Sequence, residues 1–363
     1  MRQDRFVGLM SGTSLDGVDA ALLRFTGESI ALEHAYCHPL PGALANQLRQ
    51  CIQEGRADLA DLTCLDAALG EAFGDAVTGL LAHSGAALRD IRAIGSHGQT
   101  LWHAPRGARP ATLQIGDPNR IVAATGLPVV ADFRRRDMAF GGQGAPLAPA
   151  FHTAAFGAAE EIRAVLNIGG MANLSLLGHG HTHGYDTGPG NVLMDDWIRA
   201  RRGQDYDRDG AWAASGTPIP ELVDRMLEDP WFQRPPPKST GREDFHREWL
   251  SRHLGGDEAD QDVQASLLAL TVETIAREVE ASDAQRVLVC GGGARNRALM
   301  QALAERMTPV PVEDTSAYGI APEWVEAAAF AWLARETLAG RPGNLPAVTG
   351  ASQAVVLGGT WEP

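Results

Sequence analysis

Gly8-Leu9-Met10-Ser11-Gly12-Thr13-Ser14-Leu15-Asp16-Gly17-Val18-Asp19 joins two apolar segments near the N-terminus. Residues 6–10 predict a first strand and residues 18–25 a second. Asp16-Gly17 predicts a tight two-residue hairpin turn, because glycine tolerates the positive φ that such a turn needs. The small residues 12–14 offer backbone N–H groups and hydroxyls to an anion. An ordinary hairpin without a ligand explains the stretch about as well, and the pattern GxxxxGK[ST] of a P-loop is absent.

The composition is that of a globular protein with two domains. The chain has 363 residues, 44% of them hydrophobic and 21% charged, with a formal net charge of −14. This charge disfavours nucleic acid and anionic membrane as partners. The N-terminus shows no signal peptide, and no apolar run reaches the ~20 residues of a membrane span. The four cysteines lack CxxC spacing, so we expect reduced thiols in a soluble, cytoplasmic protein.

Polar residues follow two predicted strands of the first half. The strand 91–96 leads into Gly95-Ser96-His97-Gly98-Gln99-Thr100. Because open α/β sheets bind ligands at the carboxyl ends of their strands, His97 is either a ligand contact or a satisfied structural histidine. Arg134-Arg135-Arg136 follow the strand 127–132. One of them could clamp a carboxylate, although a solvated corner is the ordinary explanation. We expect domains at 1–130, possibly completed by C-terminal residues, and at 131–363.

A second glycine hairpin predicts an internal duplication. Residues 164–168 read as a strand, Gly169-Gly170 as a turn and residues 171–177 as a second strand. Two such turns facing each other could hold a polyphosphate from both sides. The strand 286–290 with Gly291-Gly292-Gly293 and a helix over 297–307 is a further nucleotide-binding arrangement. As a degenerate GxGxxG it is weak by itself.

Asp186-Thr187-Gly188-Pro189-Gly190-Asn191 supplies the best candidate for a base. We expect Asp186 to end a strand beside a helix capped by Asn191, either as a base or only as a brace for the turn. Residues 203–245 are predicted to be a mobile or irregular insertion. Lys238-Ser239-Thr240-Gly241 within it contains the residue types of a P-loop, but not in the order of that motif. An alanine-rich helix over 319–333 follows, where Glu326 is either a surface acid or a buried substrate contact.

The order of these elements resembles the actin, hexokinase and Hsp70 ATPase superfamily. That resemblance implies an α/β fold of two RNase H-like domains with an ATP cleft between them. Seven motifs together strongly resemble the anhydro-N-acetylmuramic acid kinase family over nearly the whole chain; they lie at 8–19, 95–100, 131–137, 141–147, 167–170, 186–191 and 290–293. Two departures from the family pattern are small and touch no charged group: Met171-Ala172 and Thr187.

The resemblance implies an ATP-dependent enzyme of peptidoglycan recycling. It opens the 1,6-anhydro ring of 1,6-anhydro-N-acetylmuramic acid with water and phosphorylates O6, giving N-acetylmuramic acid 6-phosphate and ADP. It assigns Asp186 as the base, and Asp16 or Asp19 as the acids that hold Mg²⁺. Substrate contacts fall to Arg134, for the lactyl carboxylate, and to His97 and Glu326. The residues assigned to ATP are Gly12, Thr13, Ser14, Leu15, Asp16, Gly17, Val18, Asp19, Gly169, Gly170, Gly292 and Gly293.

Three rival functions remain at this point. An ordinary sugar kinase of the same fold would use Asp186 to deprotonate a substrate hydroxyl. A non-catalytic actin-like nucleotide switch would leave the motifs at 95–100 and 131–137 unexplained. A dinucleotide oxidoreductase would need GxGxxG in a first βαβ unit, where the chain has a hairpin instead. A homodimer is plausible for the family.

Overall fold

The structure is a computed structural model that describes residues 4–12, 14–178, 180–236 and 238–363. Its strands are β1 Asp4–Met10, β2 Gly17–Thr26, β3 Ser29–Pro39, β4 Ile91–Ser96, β5 Gln99–Ala104, β6 Ala111–Ile115, β7 Val129–Ala131, β8 Arg163–Ile168, β9 Met171–Gly178, β10 His181–Pro189, β11 Arg286–Cys290, β12 Val312–Asp314 and β13 Gly359–Trp361. Its α-helices are α1 Gly42–Glu54, α2 Leu59–Ser84, α3 Pro118–Thr125, α4 Arg135–Ala139, α5 Ala148–Phe156, α6 Val192–Arg202, α7 Pro220–Leu227, α8 Arg247–Ser251, α9 Asp260–Glu280, α10 Arg297–Arg306, α11 Val325–Leu338 and α12 Pro346–Thr349.

The chain forms two compact units. Met1–Ala155 and Trp324–Pro363 make up the first, and Phe156–Glu323 the second. The sequence predicts domains at 1–130, possibly completed by C-terminal residues, and at 131–363. C-terminal residues do belong to the first unit, but this unit also keeps residues 131–155, because residues beyond 130 are bonded to the C-terminal segment. The strand β13 pairs with β7, and the Gln143 N–H donates to the Thr349 carbonyl at 2.8 Å.

The first unit is built on a six-stranded sheet in the order β13-β7-β4-β1-β2-β3. The strands β1, β2 and β3 form an antiparallel meander, and β4 and β7 continue the sheet in parallel from β1. The alanine-rich helix α11 packs on β1 and β4 so closely that a Cβ on Gly8 would collide with the Ala327 carbonyl. Glycine and alanine permit this approach of backbone to backbone. The other face buries apolar residues of α2, among them Leu69, Phe73 and Val77.

The second unit repeats this arrangement in a five-stranded sheet, β10-β9-β8-β11-β12. Again an antiparallel meander, β8-β9-β10, is followed by parallel strands, β11 and β12. The order matches β3-β2-β1-β4-β7 of the first unit position by position. The prediction of an α/β fold with two duplicated RNase H-like domains is therefore confirmed.

The first hairpin differs from the predicted two-residue turn, which was wrong. The strand β1 ends at Met10 and β2 begins at Gly17, so the connection spans residues 11–16. The positive φ, 56°, belongs to Leu15 and not to Gly17. Glycine is needed at 17 for close packing, because a Cβ there would lie 2.6 Å from the Cys37 sulfur.

The segment 203–245 is more ordered than the predicted irregular insertion. It contains α7 and the buried aromatic side chains of Trp231 and Phe245, whose ring centroids lie 5.4 Å apart at nearly right angles. Burial of these large rings fixes the segment against the core of the second unit. Among the described residues, no helix has the length and apolar character needed to cross a membrane.

Candidate functional site in two units

The loop between β1 and β2 is held by its own polar groups. Ser14 Oγ donates to Asp16 Oδ1 at 2.7 Å, and the Leu40 N–H donates to the Asp16 carbonyl at 3.1 Å. Leu15 turns its side chain into the core, where it is 3% exposed. A left-handed leucine is unfavourable by itself, so this burial supports the loop conformation. Thr13, which was assigned to ATP, lies outside the described residues.

Gln99 holds the same loop from the neighbouring strand β5. In the orientation that gives the side-chain oxygen and nitrogen suitable hydrogen-bond partners, the Gln99 amide nitrogen donates to Ser11 Oγ at 2.8 Å and to the Gly12 carbonyl at 3.2 Å. The side chain is buried, at 2% exposure. The sequence marked Gln99 only as one polar residue of the 95–100 motif. Its role as a brace for Gly12 depends on the parallel pairing of β4 with β1, which no local pattern reveals.

Two acidic residues lie on either side of the start of β2, Asp16 in the loop before it and Asp19 within it. Asp19 faces Cys37 across the β2–β3 pair, and the two side chains are hydrogen-bonded. The pKa of the Cys37 thiol is raised to about 12, first by burial and then by the charges of Asp19 and Asp16. Both carboxylates therefore lie near this thiol. Val18 between them is wholly buried and can offer only its backbone.

His97 and Arg134 form one unit. Arg134 Nε and Nη2 donate to His97 Nε2 at 3.0 and 2.8 Å. A guanidinium cannot accept a hydrogen bond, so Nε2 carries no proton and Nδ1 donates to the Gly98 carbonyl at 2.8 Å. Burial, with the charge of Arg134 second, holds the pKa of His97 well below its usual range. Both ring nitrogens of this neutral histidine are engaged within the protein.

The Arg134 guanidinium is held on a second side by the loop 141–147. Its Nη1 donates to the Gly144 carbonyl at 2.8 Å. The Gly144 N–H in turn donates to Asp137 Oδ2 at 2.7 Å, and Asp137 is fully buried. Burial lowers the pKa of Arg134 to about 10, which the charge of Glu326 opposes. Three of the five guanidinium N–H groups donate to described residues, and within that part of the chain the other two have no hydrogen-bond acceptor.

Glu326 lies in the first turn of α11, near Arg134. Burial of the carboxylate raises its pKa, the charge of Arg134 lowers it, and the charge of Asp19 raises it again. The side chain nevertheless reaches solvent. The first unit thus brings Asp19, His97, Arg134 and Glu326 into one electrostatically coupled group.

The second glycine turn uses much of its backbone for its own structure. The Gly169 N–H donates to the Met171 carbonyl at 3.1 Å, and the Gly169 carbonyl accepts from the Asn191 N–H at 2.8 Å. The Gly170 carbonyl accepts from Gly190 and Val192. These bonds tie the turn to the start of α6. Asn191 precedes α6, but its side-chain amide donates to the Ile168 carbonyl at 3.3 Å and does not cap the helix as expected.

Asp186 lies within β10 and does not end the strand, which corrects the expectation. The register shifts between Asp186 and Gly188, a bulge that re-aims the side chains around it. Thr240 N–H donates to Asp186 Oδ2 at 2.8 Å, and the Ser239 side chain bonds the same carboxylate. Burial raises the pKa of Asp186, while these two hydrogen bonds oppose the rise. A carboxylate that is fixed by two donors and has a raised pKa is a stronger proton acceptor than an exposed aspartate.

The glycines after β11 divide into two kinds. A Cβ on Gly293 would collide with Ile168, so packing alone demands this glycine. Gly291 has a φ of 79°, which favours glycine for the backbone. A Cβ on Gly292 would meet nothing within 4 Å, and its φ is not positive. Neither packing nor backbone explains a glycine at 292, which leaves room for a ligand beside the backbone.

The open glycines occur in both units. Gly12 would have only Ser14 Oγ, at 3.9 Å, near a Cβ, and Gly169 and Gly170 would have only ordinary contacts at 3.7 and 4.0 Å. In the first unit, the described residues of the 12–19 segment lie with His97, Arg134 and Glu326. In the second unit, Gly169-Gly170 follow β8 and Gly292-Gly293 follow β11, its neighbour in the sheet, while Asp186 lies on β10. In the described part of the chain, no three His, Cys, Asp or Glu side chains form a metal cluster.

The family model described as anhydro-N-acetylmuramic acid kinase matches residues 4–363. The chain is also similar in structure to the activator of the 2-hydroxyisocaproyl-CoA dehydratase from Clostridium difficile with bound ADPNP, at 12% identity and a TM-score of 0.46, over 90% of this chain and 92% of that one. A ROK hexokinase from Thermus thermophilus matches at 16% identity and a TM-score of 0.39, over 92% and 99%. A ROK family glucokinase from Streptomyces griseus in complex with glucose and AMPPNP matches at 14% and 0.39, over the same shares. At these TM-scores, the fold assignment rests on the strand orders and the family match.

Proposed function

The chain belongs to the anhydro-N-acetylmuramic acid kinase family, and on that premise we propose that Asp186 is the base of its reaction. The enzyme uses ATP to phosphorylate O6 of 1,6-anhydro-N-acetylmuramic acid and opens the anhydro ring with water, in peptidoglycan recycling. Its products are N-acetylmuramic acid 6-phosphate and ADP. What remains to be assigned is which side chain does what.

The pair of donors on the Asp186 carboxylate, Thr240 N–H and the Ser239 side chain, is the observation that carries the proposal; we call this pair the clamp. Two donors, Thr240 N–H and Ser239, fix the carboxylate, and burial raises its pKa. We assign it to take a proton from the water that attacks C1 of the sugar. The C1–O6 bond then breaks, and O6 attacks the γ-phosphorus of ATP, so that its negative charge passes into the new phosphate ester. A positioned base contributes about 10²–10⁴-fold to such a step.

The phosphates of ATP are assigned to the backbone of the open glycines. Phosphoryl transfer depends on positioning and charge neutralisation rather than on covalent help from the protein. Gly12 and Ser14 in the first unit, and Gly170 in the second, supply small residues at hairpin turns. Gly292 is assigned to the adenosine side, because its face is open. Gly17 and Gly293 act indirectly, since packing explains both.

The residues present fit Mg²⁺, which prefers one or two carboxylates, keeps several waters and binds substrate phosphates. Asp16 and Asp19 are the two carboxylates; Asp16 ends the loop before β2, and Asp19 lies three residues further on that strand. When bound, the ion would neutralise charge on the phosphates. The three-ligand cluster that the described residues lack is not needed for such a site.

Arg134 is assigned to the lactyl carboxylate of the sugar. Two N–H groups of its fixed guanidinium have no acceptor among the described residues, and a planar fork matches a carboxylate. Its held geometry, between His97 Nε2 and the Gly144 carbonyl, limits the entropy lost on binding. His97 then serves the sugar through Arg134 rather than by direct contact. Glu326 is assigned to a sugar hydroxyl. A homodimer and a cytoplasmic location stay predictions.

The reaction is tested in water enriched in ¹⁸O. We expect one solvent oxygen at C1 of the product in the wild type, and a fall in turnover of about 10²–10⁴-fold in Asp186→Asn with retained sugar and ATP binding. Label-free product would show simple hydroxyl phosphorylation, as in an ordinary sugar kinase. Near-normal turnover of Asp186→Asn would remove this residue from the base role.

A further inference from the structure

Residues 238–240 supply every hydrogen bond that the structure gives Asp186 from outside its own strand pair. The Asp186 N–H donates to the Lys238 carbonyl at 3.0 Å, Thr240 N–H donates to Asp186 Oδ2 at 2.8 Å, and Ser239 bonds the carboxylate by its side chain. The segment therefore runs beside the base and meets both its backbone and its carboxylate. Its sequence motif had no place in the expected function.

The Lys238 side chain anchors this segment. It is 3% exposed, and its ammonium lies 2.7 Å from Glu278 Oε1. The same ammonium donates to the Phe232 carbonyl at 3.4 Å and lies 5.0 Å from the centre of the Trp231 ring. A buried ammonium with a carboxylate, a carbonyl and an aromatic face has a single favourable position.

Glu278 connects this anchor to the strand that carries the base. It lies near the end of α9 and also accepts a hydrogen bond from Tyr185, the residue before Asp186. Burial, and then the charge of Glu278, raises the pKa of Tyr185, so its hydroxyl stays a donor. The Glu278 carboxylate on α9 thus binds Tyr185 on β10, next to Asp186, and Lys238 in the segment 238–240 that donates to Asp186.

We propose that Lys238, through its buried ion pair with Glu278, is a positioning residue that holds residues 238–240 against the Asp186 carboxylate. This inference rests on the proposed role of Asp186 as the base. A buried ion pair adds little net stability over apolar residues of the same volume, but it fixes one arrangement of the groups it joins. Here the fixed arrangement is the pair of donors that orients the carboxylate towards its water.

The test separates positioning from stability with a single and a double variant. Lys238→Met leaves Glu278 without its cation, so the melting temperature and kcat should both fall. The double variant Lys238→Met/Glu278→Gln removes both charges and keeps an acceptor for Tyr185, so the melting temperature should recover. Because the anchor is still absent, kcat should stay about 100-fold below wild type while KM for the sugar changes little. Recovery of kcat with the melting temperature would overturn the proposal.

The pH profile gives a second readout. Thr240 N–H and the Ser239 hydroxyl stabilise the ionised carboxylate of Asp186, so loosening them raises its pKa further. The acidic limb of the kcat profile of the double variant should therefore move to higher pH. A low kcat with an unmoved acidic limb would also overturn the proposal, because a general loss of structure does not shift this limb selectively.

Arg286→Met is the matched control. Arg286, on β11 of the second unit, pairs with Glu161 at 3.2 Å and with Glu313 at 2.9 Å in a more exposed ion-pair network. It should lower the melting temperature but leave kcat and the acidic limb unchanged. Asp186→Asn, assayed in parallel, reports on the base itself. If it stays active, the proposed function fails; if it is inactive while the Lys238 double variant has wild-type kcat, only the positioning role fails.

Discussion

Arg134 donates two hydrogen bonds to a single nitrogen of His97, at 3.0 Å from Nε and 2.8 Å from Nη2. The histidine is neutral, because its pKa lies well below the usual range and its acceptor nitrogen faces a cation. His97 therefore holds the Arg134 guanidinium in one position. An arginine presented in this way recognises an anion without first losing the freedom of its side chain.

His97→Gln should therefore raise KM for the sugar while leaving kcat almost unchanged. Glutamine offers an acceptor but cannot reproduce the position of Nε2, so Arg134 loses part of its support. We expect an increase in KM of about 10-fold, which corresponds to about 1.4 kcal/mol of binding free energy. Steady-state kinetics and calorimetry with the sugar measure it.

Arg134→Lys is the companion variant, since a lysine cannot hold both a carboxylate and two protein acceptors in one plane. It should raise KM more than His97→Gln does. A fall in kcat with constant KM in either variant would contradict the role as a carboxylate clamp. Because the pKa of His97 is held well below its usual range, titration of this histidine should not change the sugar affinity of the wild type between pH 6 and 8.

Gly292→Ala and Gly293→Ala should affect different properties, ATP binding and stability respectively, although the residues are neighbours. A Cβ on Gly292 meets nothing within 4 Å, whereas a Cβ on Gly293 collides with Ile168. Gly293→Ala should lower stability by about 1–3 kcal/mol through overpacking. Gly292→Ala should fold normally and weaken ATP binding. Thermal melting with and without ATP distinguishes the two; unchanged ATP binding in a folded Gly292→Ala would remove this glycine from the nucleotide site.

Asp137→Ala should be strongly destabilising. Asp137 is fully buried and accepts from Gly144 N–H, Asn344 Nδ2 and Thr349 Oγ1, each at 2.7 Å. Removing the carboxylate leaves three buried donors without their acceptor, at a cost of about 3–5 kcal/mol. Urea unfolding of the first unit measures this cost. Thr349→Val, which removes one donor, should cost about 1–2 kcal/mol, and an equal loss in both variants would contradict the network.

Asp195→Asn should stabilise the protein at pH 8 and have little effect at pH 4. Burial, with smaller contributions from its charged neighbours, raises the pKa of Asp195 to about 7. In the unfolded chain this carboxyl ionises near pH 4, so wild-type stability falls as pH rises from about 4 to 7. The penalty is fully present above pH 7. For this half-buried group we expect a gain of about 2 kcal/mol in the variant, after allowance for solvent screening.

Melting temperatures at pH 4, 6 and 8 check this pH dependence. Asp196→Asn is the control, because Asp196 pairs with Arg199 at 3.1 Å and its removal should give no gain at high pH. A difference in melting temperature between Asp195→Asn and wild type that stays constant across this pH range would show that the pKa of Asp195 is not raised.

The periodicity of apolar residues and the glycines at the ends of strands determined most of the secondary structure. The strands at 91–96 and 286–290 have the predicted bounds. The duplication was also predicted, because the strand-glycine-strand pattern near the N-terminus has a second copy at 164–177; the matching strand order of the two sheets agrees with it. These features are local, and local sequence is sufficient when a strand or helix is fixed by its own hydrophobic face. The seven motifs in their order, in turn, determined the family.

Only the tertiary structure decided which partner each polar side chain has. The sequence placed His97, Arg134 and Lys238 in three separate motifs, 37 and 104 positions apart in turn. Pairing of β4 with β1 brings Gln99 to the Gly12 loop, and the packing of the segment 238–240 on β10 supplies the clamp on Asp186. The opening hairpin shows the same division. Its glycines predicted a turn, but packing on Cys37 decided the role of Gly17 and burial of Leu15 decided where the positive φ lies, because both depend on residues distant in the chain.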